Sequence, residues 1–165
     1  MAQITLKGNP FNTVGDLPSV GSKAPSFTLV DRDLSRKSLS DFAGKKLVLN
    51  IFPSVDTPVC ATSTRTFNER IDGRDDAVVA CVSSDMPFAF SRFCGAEGLE
   101  NVKTLSTLGS SFGDDYGVLI TDGPFKDINA RAVVVVDGDG TVVHSQLVPE
   151  IAQEPDYDAA LAALD

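Results

Sequence analysis

Three thiols and one imidazole are the side chains of this 165-residue chain best suited to nucleophilic or metal chemistry: Cys60, Cys81, Cys94 and His144. A thiolate is a nucleophile, a metal ligand and the first rung of reversible oxidation. The four residues lack the short spacings of a zinc site, and there is no CxxC pair. Asp137-Gly138-Asp139-Gly140-Thr141 faintly resembles a calcium loop, but position 12 of such a loop falls on Val148, which has no carboxylate. No metal and no cofactor is expected. Cys81 lies inside the apolar run Ala77–Val82, where a buried, inert thiol is the better reading. His144 alternates with valines, as at a strand surface.

Cys60 ends the segment Pro53-Ser54-Val55-Asp56-Thr57-Pro58-Val59-Cys60, between an apolar run and a helical stretch. Pro58 suits the first position of a helix, where a missing N–H costs nothing, and Thr57 is then the N-cap. Cys60 falls in the first turn, where free backbone N–H groups and the helix dipole favour an anion. A thiolate is an anion, so the placement favours ionisation of Cys60, with Asp56 opposing it. Ionisation alone achieves little. A thiol of pKa about 8.5 is roughly 3% thiolate at neutral pH. Bringing any thiol to a pKa of ~6 gives about thirty times more thiolate, but the lower basicity removes roughly tenfold in nucleophilicity. A fast reaction therefore needs fixed donors near the sulfur as well. Spacing alone leaves Cys60 as much a packed thiol as a nucleophile, Thr57 a simple cap, Pro53 a strand end and Arg131 a surface charge.

The elements that must position these residues follow from the pattern. Leu47-Val48-Leu49-Asn50-Ile51-Phe52 reads as a buried central strand, and a helix is expected from about Pro58 to Arg70. Ala77–Val82 is a second buried strand, and Pro87 to Glu97 a helix ended near Gly98. A short strand is expected over 102–105. Ala132–Val136 and Thr141–His144 flank Asp137-Gly138-Asp139-Gly140, a hairpin signal. Ile4–Leu6 and Phe11–Val14 flank Lys7-Gly8-Asn9-Pro10, an N-terminal hairpin, and Pro155 to Leu164 is a final helix. The sum is an α/β chain with a central mixed sheet flanked by helices. Thr62, Ser63, Thr64 and Thr66 give the Cys60 helix poor intrinsic propensity, which predicts a helix that unwinds readily.

Length fits one domain over 1–165, with no repeat or linker. The formal net charge of −9 argues against nucleic acid and against an anionic membrane surface. No apolar stretch is long enough for a membrane span, and the first residues lack a signal-peptide pattern, so a cytoplasmic location is expected. An odd cysteine count in such a compartment favours chemistry or burial over a disulfide scaffold.

Pro53, Thr57 and Cys60 match the peroxiredoxin motif of Pro, three residues, Thr, two residues, Cys. The string PSVDTPVC, with SRFCGAEGLENV downstream, resembles the bacterial thiol peroxidase subfamily of atypical two-cysteine peroxiredoxins over nearly the whole chain. That resemblance implies a thioredoxin-like fold and the reduction of hydrogen peroxide and organic hydroperoxides, with a preference for the organic ones. It implies that Cys60 is the peroxidatic nucleophile and that Thr57 hydrogen-bonds the sulfur and the peroxide. Arg131 would donate to both, and Pro53 would shield the site from water. Cys94 would resolve the sulfenic acid as an intrachain disulfide, thioredoxin would be the reductant, and the protein would be a homodimer. Two other functions compete. A disulfide reductase or isomerase is disfavoured by the missing CxxC, and a redox sensor or holdase would oxidise without turning over.

Overall fold

The computed structural model describes all 165 residues. A two-stranded antiparallel hairpin opens the chain, β1 (Gln3–Leu6) with β2 (Asn9–Asn12). Its turn has only two residues, because Lys7 (φ 51°) and Gly8 (φ 82°) both take the positive φ that a tight hairpin turn demands. Asn9 and Pro10, expected in the turn, therefore belong to β2. Ile4 and Phe11 on this hairpin are buried against the body of the protein.

The body is a seven-stranded mixed sheet. Its strands are β3 (Thr28–Asp31), β4 (Arg36–Ser38), β5 (Lys46–Ile51), β6 (Ala77–Ser83), β7 (Lys103–Ser106), β8 (Ala132–Val136) and β9 (Val142–Leu147), in the order β4-β3-β7-β6-β5-β8-β9. The three inner strands β5, β6 and β7 run parallel, and the others add antiparallel on either side. Helices α1 (Pro58–Arg70) and α2 (Pro87–Glu97) connect the parallel strands, and the short helices α3 (Phe112–Asp115) and α4 (Tyr157–Ala162) follow. Both long helices keep their expected bounds. Proline opens each, and α2 ends at Gly98 in the left-handed conformation (φ 68°), which a residue without Cβ adopts cheaply.

Strand alternation divides the core in two. Leu47, Leu49, Ile51, Ala80, Val82, Ala132, Val134 and Val136 face one side, with Phe27, Phe112 and Tyr116. Val48, Phe52, Val79, Cys81, Val133 and Val135 face the other, with Cys60, Phe67, Phe90, Phe93 and Cys94 from α1 and α2. Burial on both faces explains why β5, β6 and β8 read as continuous apolar runs rather than as alternating ones. All three cysteines thus lie on one side of the sheet. Strand β4 carries no apolar pattern, because Arg36-Lys37-Ser38 is short and polar, as suits an exposed sheet edge. His144 is half-buried on the edge strand β9, and burial holds its imidazole below the usual range against the opposing charge of Asp156. No helix is long and apolar enough to cross a membrane.

Candidate active site

The site lies beyond the carboxyl end of β5, where open α/β sheets place their ligands. Phe52 donates its N–H to Val82, holding the end of β5 to β6, and Pro53 is buried as the chain turns away. Pro58 then starts α1, and the first turn delivers Cys60 into the interior, with 0% of its surface exposed. Thr57 occupies the N-cap, but its hydroxyl does not cap the helix. It donates to the Ser54 carbonyl at 2.9 Å instead, a backbone oxygen that also accepts from Thr57 N at 3.1 Å. The proton of that hydroxyl is committed, so its oxygen is presented as an acceptor.

Arg131 reaches Cys60 from 71 positions away. Strand β8 pairs antiparallel with β5, with Ala132 opposite Ile51, so the start of β8 meets the end of β5. The Arg131 guanidinium donates through Nη2 to Cys60 Sγ at 3.3 Å and through Nε to the Ile151 carbonyl at 2.8 Å. Nη1 is buried with no partner, the residue is only 2% exposed, and it belongs to no ion pair. A desolvated cation without a carboxylate is costly. A thiolate at Cys60 is the anion within its reach, and Nη1 is a spare donor for an oxygen brought to that sulfur.

Beneath Cys60 lies a polar floor that the sequence pattern did not disclose. Ser63 and Thr64 are buried, and both hydroxyls donate to the Cys60 carbonyl at 2.9 Å. Such back-bonding competes with the helical ladder and weakens it. Asn50, buried in β5, donates to Ser63 Oγ at 3.2 Å and to Cys81 Sγ at 3.6 Å. Their only sequence signal was an amide inside an otherwise apolar strand and hydroxyls at adjacent positions of one helix.

Asp56, expected to oppose a thiolate, points outward and pairs with Arg92 of α2 at 2.6 Å. Much of its charge is answered there. A second bridge joins the two helices, Arg65 to Glu97 through two bonds of 2.9 Å, with the Arg65 guanidinium over the Phe93 ring. All of these charges are exposed, so each pair contributes little to stability.

The other thiols differ in setting. Burial pushes the Cys81 thiol up to about 12, against the hydrogen bond from Asn50, so it stays protonated at ordinary pH. Cys94 is buried in α2 but lines a surface cavity of about 500 Å³ with Arg32, Ser91, Gly95 and Leu99. Burial raises its pKa and the Arg32 guanidinium partly offsets that. All three cysteines are free thiols. Within Met86–Phe90, Phe90 is core, whereas Met86 and Phe88 are exposed. No cluster of histidine, cysteine and carboxylate groups is arranged to hold a metal.

Known proteins resemble this chain in sequence and fold. A family model described as Redoxin matches residues 19–161. The chain is 63% identical over 164 residues to the thiol peroxidase of Mycobacterium tuberculosis, covering 99% of each. It is 53% identical over 165 residues to the thiol peroxidase of Corynebacterium glutamicum, covering all of both. The crystal structure of a peroxiredoxin-like protein from Aquifex aeolicus superposes with a TM-score of 0.93 at 41% identity, over 99% of this chain and 96% of that one.

Proposed function

This chain belongs to the Redoxin family and is a peroxiredoxin-type enzyme with a thioredoxin-like fold, and on that premise we propose a two-cysteine mechanism for its thiol-dependent peroxidase activity. The Cys60 thiolate attacks one oxygen of a hydroperoxide. The S–O bond forms, the O–O bond breaks, and water or an alcohol leaves with a proton. Cys60 becomes a sulfenic acid. The Cys94 thiolate then attacks the Cys60 sulfur, an S–S bond forms, and hydroxide departs as water. A thioredoxin-type dithiol reduces the disulfide by exchange.

The observation that carries this reading is the Arg131 guanidinium, buried without a carboxylate, with Nη2 on Cys60 Sγ and Nη1 unpaired. Such a fork stabilises both the sulfur anion and the charge that develops on the peroxide oxygens. Thr57 supplies an acceptor for the peroxide O–H, and buried Pro53 keeps water from the sulfur. Hydrogen peroxide and organic hydroperoxides are the proposed substrates, and the cytoplasm the proposed compartment. A homodimer is proposed as well, and the exposed Met86 and Phe88 are compatible with an apolar contact.

Hydroperoxide-dependent NADPH consumption with thioredoxin and its reductase tests the cysteine roles. Cys94→Ser is expected to oxidise once and then lose thioredoxin-supported turnover, by about a hundredfold or more. Cys81→Ser should stay within about twofold of wild type, as a thiol that stays protonated contributes no nucleophile. Full turnover by Cys94→Ser would remove it as the resolving residue. Oxidation of the wild type without turnover would favour a sensor or holdase.

For Cys60 and Cys94 to bond, their Cα atoms must come within about 7 Å. The hydroxyls on the Cys60 carbonyl and the poor propensity of residues 62–66 make α1 the element that yields. Hydrogen exchange is expected to show weak amide protection through residues 61–66. Strong protection there in both redox states would contradict this.

A further inference from the structure

One carboxylate outside the proposed chemistry anchors the whole Cys60 loop. Asp85 stands between β6 and α2, next to Met86 at the N-cap of the Cys94 helix. Its Oδ1 accepts from Ser54 Oγ at 2.7 Å and its Oδ2 from Val55 N at 2.7 Å, both on the loop that leads from β5 to Cys60. The Ser83 hydroxyl also donates to Oδ2, and Ser83 Oγ in turn accepts from Asp85 N at 3.1 Å, so the carboxylate is itself fixed to the end of β6. Ser54 passes the constraint on. Its hydroxyl accepts from Asp56 N at 3.2 Å, and its carbonyl accepts both Thr57 donors. The backbone N–H groups of Val55, Asp56 and Thr57 are thus all committed to Asp85 or to Ser54. The orientation of the Thr57 hydroxyl, and the point where α1 begins, depend on this network. The side-chain contact besides it that ties the loop to α2 is the exposed Arg92–Asp56 pair, which water screens.

We propose that Asp85 is the positioning residue of the peroxidatic site: by holding Ser54 and Val55 it sets Thr57 and the first turn of α1 for reaction with a hydroperoxide, without touching the sulfur. This rests on the assignment of Cys60 as the peroxidatic nucleophile. Attack on an O–O bond needs the peroxide aligned between Thr57, Arg131 and the sulfur. Alkylation of the same sulfur needs only a thiolate and access. Displacing a reacting group by about 1 Å can cost on the order of a hundredfold in an oriented reaction. Loss of Asp85 should therefore slow the peroxide reaction and spare alkylation.

The test compares two rate constants at Cys60, each read by quenched-flow mass spectrometry of the Cys60 peptide: one for hydrogen peroxide, one for iodoacetamide. In Asp85→Ala the peroxide-to-iodoacetamide ratio is expected to fall about tenfold to a hundredfold below wild type. Ser54→Ala, which removes one link of the network, should lower it less. Asp41→Ala, which removes a carboxylate accepting from Ser38 in the remote turn 39–42, should leave the ratio unchanged. Should Asp85→Ala fail to fold, Asp85→Asn keeps one oxygen acceptor and the shape, and a fall of about threefold or more is expected. An unchanged ratio in a folded Asp85 variant, even with a lowered Tm, would overturn the proposal and leave Asp85 an ordinary loop anchor. Failure of the wild type to oxidise at Cys60 would instead refute the assignment of the nucleophile.

Discussion

Cys60→Ser is expected to reduce hydroperoxide turnover to background, a loss on the order of ten-thousandfold or more. Serine keeps the shape of the side chain, but its hydroxyl does not ionise near neutral pH and is a poor nucleophile without a general base. The one histidine of the chain, His144, sits on β9 and is hydrogen-bonded to nothing through its buried Nε2, so no base is supplied from there. No other thiol substitutes. Cys81 is sealed in β6 with its thiol pushed up to about 12, and Cys94 belongs to a separate helix. The variant should still fold, because a serine oxygen can accept from Arg131 Nη2 as the sulfur does. The measurement is peroxide consumption with circular dichroism as the control for folding. Retention of even a tenth of the wild-type rate would exclude Cys60 as the nucleophile.

Arg131→Met should separate activity from stability. Arg131 donates to the sulfur and keeps Nη1 free in a water-excluded site, so its removal deletes fixed charge stabilisation where the O–O bond breaks. Loss of one such donor in an enzyme costs about 10²–10³-fold in rate, and a fall of that order is expected in the peroxide reaction. Stability should hardly suffer. A buried guanidinium with no carboxylate partner carries a desolvation cost that its bonds to Cys60 and Ile151 offset only in part, and a flexible apolar side chain of similar length fits the same space. Thermal unfolding of the reduced protein is therefore expected at or above the wild-type Tm. Arg131→Lys retains charge but loses the planar fork, and should recover only part of the rate. A variant that lost stability and rate together would mean that Arg131 is mainly structural.

The two expectations draw on different kinds of information. The setting of Cys60 was legible locally. Proline at the first helical position, threonine at the N-cap and an apolar run before them suffice to place a thiol in the first turn of a helix after a buried strand, and α1 runs over the expected residues. Cys81 was legible too, since a cysteine inside AVVACV has little choice but burial. Arg131 was not. Its neighbours in sequence suggest only a charge at a strand end, and the motif resemblance, rather than spacing, singled it out. The Thr57 hydroxyl shows a subtler limit: the N-cap position was correct, but the bond went to the Ser54 carbonyl because the chain folds back over three residues there. Asp85 and Arg92 left no trace in any pattern. Both are polar residues in ordinary positions, and only the meeting of two loops gives them partners.

The sequence by itself determined the central strands and the two long helices, the burial of those strands and the residue whose thiol meets a helix N-terminus. Those features depend on interactions within a few positions of the chain: prolyl geometry, capping, and the periods of helix and strand. The tertiary structure decided which distant groups converge on that thiol. Antiparallel pairing of β5 with β8 brings Arg131 to Cys60, and the parallel neighbour β6 brings Asp85 to Ser54 and Val55. Such meetings are set by strand order and register across the sheet, and a one-residue slip in either would turn the same side chains to the opposite face.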